Sequence, residues 1–363
     1  MNIPDNFYCL LIRGKNICHE EKNRIKEIYL SYGRERLYDI AKAKKILPFA
    51  ANSFVYCDID TSFWSGILNE YRERNEKILV CLDNAYTALK AHGVKKMFVS
   101  ENFGALLSAN EDIALFASGD IDNYADFEER DNIYSAFESL GWTRKERFTE
   151  RNQIAAEFFP PVTEGLPEKF YISVDFNPLA RLKLPCFIEA DRFVDWERLS
   201  VYGDTEITLP PVNALMYICM LHISLHSFSR APDIRLYIDL LNMSRTSVDY
   251  EKIAEWCRRD GTCTRAAVSS TLSNYLMNTD IPECITEISK RKNKIVELVY
   301  LPEKNDLIYE PHGLKVLRIE VLCNDKSSIR GVYEILSPNK CWMDKTYGSH
   351  GVVAHMKHII KVL

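Results

Sequence analysis

The hydrophobic period of this chain changes twice, and that restricts the fold more than any other feature. Up to about residue 93, apolar side chains recur at helical spacing, as in Leu37, Ile40 and Ala41 or Ile78, Leu82, Ala85 and Leu89. From Val94 to Phe176 short strand-like runs take over, and after Asp204 helical spacing returns. Helices, then a strand–helix–strand unit with a meander, then helices again predict an α/β (α+β) protein with a small mixed sheet and helical flanks. The divisions read as an N-terminal helical region 1–81, a core 82–203 and a C-terminal helical domain 204–363.

Helices are expected over 22–30 and 34–45, with Pro48 marking either a break or a helix start. Asp60 or Thr61 is placed to cap a helix through Trp64, Ile67, Leu68 and Tyr71; a longer helix follows and Gly93 ends it. In the core, 95–100 and 114–122 read as strands around a short helix, ENFGALLSA. A helix over 132–142 precedes strands at 143–149, 153–159 and 170–176. Farther on, 213–228, 234–244, 250–258 and 264–278 read as helices, Pro282 and Pro302 bracket another helical stretch, and 316–322 fits strand and helix equally.

With 47% apolar and 27% charged residues, the chain falls outside the collagen-like, low-complexity and disordered classes. A net charge of −5 disfavours a general nucleic-acid binder, although a local basic groove stays open. No apolar run approaches the ~18 residues of a membrane span. The apolar run near the N-terminus is short, is interrupted by Arg13 and does not read as a signal peptide. Eleven cysteines without one CxxC pair argue against a Cys-rich zinc site and read as reduced thiols of a cytoplasmic protein.

The sharpest chemical signal is Asp120-Ile121-Asp122, because acids two residues apart on a strand share one face. The tripeptide alone is weak: about seven i,i+2 acid pairs are expected by chance at this acid content, and Asp58-Ile59-Asp60 repeats it. That first copy reads as turn and cap chemistry. The second is preceded by Ser118-Gly119 and followed, on a later apolar strand, by Asp175. An acid in a buried strand is expensive unless paired or metal-bound. If the strands are neighbours, Asp120, Asp122 and Asp175 form a three-carboxylate site for Mg2+ (or Mn2+), suited to phosphoryl or nucleotidyl transfer.

Taken in order, helix LKAHGV, strand KKMFVS, helix FGALL and then SGDID resemble the nucleotidyltransferase core of the DNA polymerase beta superfamily. The chain is more closely similar to a bacterial family of uncharacterised nucleotidyltransferases. LMYICMLHISLH followed by IRLYIDLLNM resembles that family's C-terminal helical signature, and ERLYDIAKAKKILPF its N-terminal one, with Lys where the family has His. The resemblance implies an NTP substrate, an unidentified hydroxyl acceptor (sugar, lipid-linked intermediate, peptide, protein or RNA) and release of pyrophosphate. It also implies that Ser100, Asn102, Ser118 and Gly119 face the triphosphate. Arg235 would clamp phosphate, and His222, His226 and Asp239 would line the cleft beside the C-terminal helices. The chain departs from the family at two places: Ser100-Glu101-Asn102 stands where the family has Lys-Gly, and Phe116 where it has Arg. Both changes remove phosphate contacts, which leaves a second reading, a non-catalytic nucleotide-sensing or scaffold protein on the same fold.

Other features read as structural. His222 and His226 lack the Glu of an HExxH site. The 290–294 basic run reads as a solvated helix face, His355 and His358 have no acidic or thiol partner nearby, and Ser269 and Ser270 lack a nucleophile motif. No P-loop or GxGxxG loop is present.

Overall fold

The computed structural model describes residues 5–14, 17–148, 154–161, 165–176, 197–202, 205–229, 233–302, 306–308, 314–325, 353 and 356. His355, His358, Cys186 and Cys341 lie outside them. Helices α1 (Asp5–Ile12), α2 (His19–Tyr32), α3 (Arg34–Ala43), α4 (Leu47–Tyr56) and α5 (Thr61–Ala91) come first. Strand β1 (Met97–Val99), α6 (Glu101–Ser108), β2 (Asp120–Ala125), α7 (Arg130–Ser139), β3 (Thr143–Phe148), β4 (Ile154–Phe159) and β5 (Tyr171–Asp175) form the central unit. A hairpin of β6 (Glu197–Tyr202) and β7 (Thr205–Leu209) leads into α8 (Val212–Leu225), α9 (Leu236–Ser244), α10 (Tyr250–Asp260) and α11 (Cys263–Met277). After α12 (Glu283–Thr286) and α13 (Lys292–Val299), a small ladder of β8 (Tyr300–Leu301) and β9 (Asp306–Leu307) precedes α14 (Leu314–Leu322).

The protein is therefore mixed α/β, with a five-stranded sheet ordered β1-β2-β5-β4-β3. Only the β2–β5 pair is parallel. Alternation gives the sheet two different faces. Ile121, Ile172, Phe158 and Val174 occupy one face and are fully buried. On that side Tyr86 of α5 donates a 2.6 Å hydrogen bond to Asn123, and Phe137 of α7 stacks on Phe158 at 4.0 Å. The other face carries Asp120 and Asp122 of β2, Tyr171, Ser173 and Asp175 of β5, and Glu157 of β4.

Two helices expected between Asp60 and Gly93 are one 31-residue helix, α5. No Pro or Gly interrupts its middle, and Trp64, Ile67, Ile78, Leu82 and Leu89 keep one buried stripe along its length. It crosses residues 81 and 82 without a break, so the N-terminal helices and the sheet share an element. Asp60 takes a left-handed conformation before α5, as a turn requires, but its side chain does not cap the helix. It accepts instead from Tyr29 and Arg34 at 3.1 and 3.2 Å. The strand expected from 114 begins only at Asp120; a 3-10 turn at Ile113–Leu115 takes the earlier residues.

That irregular segment is held from α5. Asn75, fully buried, donates to the carbonyls of Ile113 and Phe116 at 2.6 and 3.0 Å, and Arg74 donates to Phe116 O as well. Asn75→Ala leaves these carbonyls short of a donor, and we expect it to cost about 2 kcal/mol in urea denaturation. A loss under about 0.5 kcal/mol would mean that Arg74 alone suffices.

The C-terminal half is organised around α8, whose residues Ala214 to Ser224 are all buried. A helix apolar all round must be surrounded, and here α6, α9, α10 and α11 pack against it. The segment 316–322 is helical, tied to this half through Glu320, which accepts from Arg265 at 2.7 Å. The basic run is only partly solvated: Lys290, Arg291 and Lys294 are exposed, whereas Lys292 is buried and pairs with Glu287. Ser269 and Ser270 are fully buried, and Ser269 donates to Met220 O. No helix among the described residues is long and apolar enough to cross a membrane.

Candidate functional site

Strand β2 delivers Asp120 and Asp122 to the polar sheet face, both half-buried. Asp120 anchors a hydrogen-bonded chain: Ser118 Oγ donates to its Oδ1, Tyr171 Oη donates to its Oδ2 at 3.1 Å, and Arg235 Nη1 donates to Ser118 Oγ at 3.2 Å. Burial, followed by the charges of Asp120 and Asp122, raises the Tyr171 phenol pKa, so Tyr171 stays protonated and remains a donor. Gly119 sits between Ser118 and Asp120 with space for a Cβ, whose nearest neighbour would be Pro167 at 3.8 Å.

Asp175 shares this face but lies farther along. In the parallel register Asp120 faces Tyr171, Asp122 faces Ser173, and Asp175 faces Tyr124. It is thus ~7 Å beyond the Asp122 level along the strand, and it is 3% exposed. The acid level with Asp122 is Glu157, which faces Ser173 from β4, is 7% exposed and pairs with Lys145 at 3.4 Å. The sequence reading missed Glu157. The signal was present: IAAEFF holds one acid in an apolar strand, the argument that singled out Asp175.

The turn before α6 faces inward. Ser100 is fully buried and its amide donates to Asp122 O at 2.9 Å. Glu101 adopts φ +46, a left-handed conformation that costs a non-glycine residue about 1 kcal/mol. The Glu101 carboxylate accepts from Tyr124 Oη and lies 3.4 Å from His222 Nδ1, while His226 sets its ring edge-on to His222 at 5.1 Å. Glu101 and His222 are both buried, so His222 backs α6 and is not among the residues lining the adjacent cleft.

That narrow cleft lies between α4, α6, α9 and the 113–118 segment. Asn102, Ser118, Arg235 and Asp239 line it together with Phe49, Phe116 and Asn242; of the three residues expected at a cleft, His222, His226 and Asp239, only Asp239 is at this one. Asp239 is 4% exposed. Burial pushes its carboxyl up to about 8; Arg235 opposes this and Glu101 adds to it. Phe49 and Asn242 carry no sequence motif, and only packing brings α4 and α9 to one wall.

Among the described residues no group of three His, Cys, Asp or Glu side chains is arranged to hold a metal ion. The nine described cysteines are free thiols. No known protein family, characterised protein or solved structure matches the chain.

Proposed function

We propose that this chain is a Mg2+-dependent nucleotidyltransferase, moving an NMP from an NTP to a hydroxyl-bearing acceptor with release of pyrophosphate. The observation that carries the reading is the continuity from cleft to acids: Arg235 lines the cleft and holds Ser118, and Ser118 holds Asp120 beside Asp122. A guanidinium fork suits phosphate oxygens, and two carboxylates on one sheet face suit a hard cation.

Mg2+ is commonly held by one or two carboxylates together with substrate phosphates rather than by an all-protein cage. Asp120 and Asp122 fit that arrangement, and Mn2+ takes the same oxygen donors. Bound there, the cation supplies charge neutralisation at the reacting phosphate. In this reading the acceptor oxygen forms a bond to the α-phosphorus. The bond from that phosphorus to the pyrophosphate oxygen breaks, and pyrophosphate leaves with the electron pair. The acceptor's proton passes to a carboxylate on the same face, with Asp175 and Glu157 adding negative charge there. Ser118 and Tyr171 fix the rotamer of Asp120, and Arg235 steadies the phosphates. The order of sequence motifs that resembles a nucleotidyltransferase core is the other ground for the assignment.

One observation favours the second reading, a nucleotide-sensing or scaffold protein without catalysis. Glu101 places a buried carboxylate at the turn where the resembled enzymes approach the triphosphate. Titration calorimetry of ATP, GTP, CTP and UTP into the full chain, with Mg2+ and again with EDTA, tests the proposal. We expect at least one NTP to bind with Mg2+ and to be lost with EDTA; no binding to folded protein would sink it.

A further inference from the structure

Where α3 meets α5, aromatic rings and cations alternate. On α3, Arg34, Tyr38 and Lys42 are spaced i, i+4 and i+8 and share one face. On α5, Phe63, Tyr71 and Arg74 fall within one stripe. The two series interlock. The Arg34 guanidinium lies 4.7 Å from the centre of the Phe63 ring, and Tyr38 meets that ring edge-on at 6.2 Å. Lys42 Nζ is 5.6 Å from the Tyr38 ring, and the Arg74 guanidinium is 4.5 Å from the Tyr71 ring. Burial raises the Tyr71 phenol pKa, Arg74 opposes this and Tyr38 adds to it, so Tyr71 stands between the two. Arg36, 5.0 Å from the Tyr32 ring, extends the series to the end of α2. The four rings are half-buried, whereas Arg34, Arg36 and Lys42 are exposed.

The series also has a direction. Phe63 to Arg74 cover about 16 Å of α5. Arg74, at the end of that stretch, donates to Phe116 O, two residues before Ser118, whose hydroxyl holds Asp120. The rings and cations therefore lead to the segment that enters the acid pair. Their charge suits a polyanion: residues 34–45 carry five Lys or Arg against two acids, in a chain of net charge −5. Asp60 and Glu35 beside Arg34, and Glu70 near Tyr71, oppose it locally. Rings and guanidinium planes stack with the exposed bases of a single strand while ammonium groups meet its phosphates. A duplex hides those base faces. Tyrosine hydroxyls, able to donate and accept, suit the ribose 2′-hydroxyl that distinguishes RNA from DNA.

We propose that the α3–α5 surface binds single-stranded RNA and leads its 3′ end to Asp120 and Asp122, so that RNA is the acceptor. The inference rests on the nucleotidyltransferase reading and names the acceptor class that it leaves open. The terminal ribose hydroxyl oxygen then forms the bond to the α-phosphorus of the NTP. Pyrophosphate leaves with the electron pair of the broken bond, and the hydroxyl proton passes to a carboxylate on the polar sheet face.

The test is fluorescence anisotropy on the full chain, in EDTA and without NTP, using a labelled, unstructured RNA of about twelve nucleotides, within the usual site sizes. Single-stranded DNA and double-stranded RNA of the same length are the comparisons. The expected result is that the RNA strand binds, at least about threefold tighter than the DNA and about tenfold tighter than the duplex. Its affinity should fall with salt at a logarithmic slope of about −2, as for three neutralised phosphates. Tyr38→Ala, checked for folding by circular dichroism, should bind about tenfold more weakly, the worth of one stacked base. The exposed pair Arg36→Gln/Lys42→Gln should flatten the salt slope by about 1.4, and Lys290→Gln/Lys294→Gln, on another exposed basic face, should change nothing. Absence of RNA binding overturns the inference. So does DNA or duplex binding as tight as the RNA strand, or wild-type affinity in both the Tyr38 and the Arg36/Lys42 variants. Calorimetry of the four NTPs with Mg2+ separates the two readings. NTP binding without RNA binding removes this surface and leaves the transferase with another acceptor. RNA binding as expected without NTP binding keeps the surface, while the transferase reading and the acceptor role fall together. With both bound, transfer of a labelled NMP to the RNA, abolished when its terminal ribose is oxidised with periodate, supports the acceptor role, and absence of transfer overturns it.

Discussion

Arg265→Ala should destabilise the protein by about 3–5 kcal/mol, because it strands a carboxylate in the interior. Arg265 of α11 is 1% exposed; it donates to Glu320 of α14 at 2.7 Å and to Ser224 of α8 at 2.9 Å. Glu320 is itself 7% exposed. Two buried charges are tolerable together, and the cost comes from removing only one. The double variant Arg265→Met/Glu320→Leu should therefore recover most of the loss, since apolar groups of similar volume replace the pair. Urea denaturation of the two variants measures both values. A double variant as unstable as the single one would mean that the pair matters for its hydrogen bond to Ser224, not for mutual neutralisation.

Asp120→Asn/Asp122→Asn should lower Mg2+-dependent NTP affinity by at least ~100-fold while leaving the fold intact. Both side chains are half-buried, and an amide has nearly the shape of a carboxylate. The amide oxygen at position 120 keeps one of the two donors, Ser118 or Tyr171, and the other hydroxyl can accept from the amide nitrogen, so the local network rearranges without stranding a polar group. What disappears is the negative charge on that sheet face. Calorimetry with each of the four NTPs and Mg2+, alongside circular dichroism, separates loss of binding from loss of structure. Unchanged affinity in a folded double variant would move the nucleotide site away from β2.

The helices and strands were legible in the sequence wherever one face of an element met the core. The spacing of Ile78, Leu82 and Leu89 gave the second half of α5, though not its continuity with the first, and the alternation in FYISVDF gave β5. The reading failed where local signals were ambiguous. The Asp58-Ile59-Asp60 turn was recognised, but capping by its side chain was wrong because Tyr29 and Arg34, remote in sequence, claim that carboxylate. The late start of β2 follows from contacts of Arg74 and Asn75 with the 113–116 backbone, and no local propensity encodes those. Asn102, Ser118, Arg235 and Asp239 were named from motif order, and they meet at one cleft. Glu157 was overlooked because register, not periodicity, sets it level with Asp122.

By itself the sequence determined which residues are apolar and at what period, and hence the succession of helix, sheet and helix. It also determined that Asp120 and Asp122 share one face, because alternation along a strand is a local property. Tertiary structure decided everything that depends on pairing between distant segments. The parallel register of β2 and β5 sets Asp175 beside Tyr124 rather than beside the acid pair. The packing of α9 against α6 buries Asp239 and raises its carboxyl pKa toward neutrality. The left-handed turn at Glu101 directs its carboxylate to Tyr124 and His222 instead of outward. Periodicity is written in neighbouring residues; register, burial and the resulting shift in a proton affinity arise only when segments far apart in the chain come into contact.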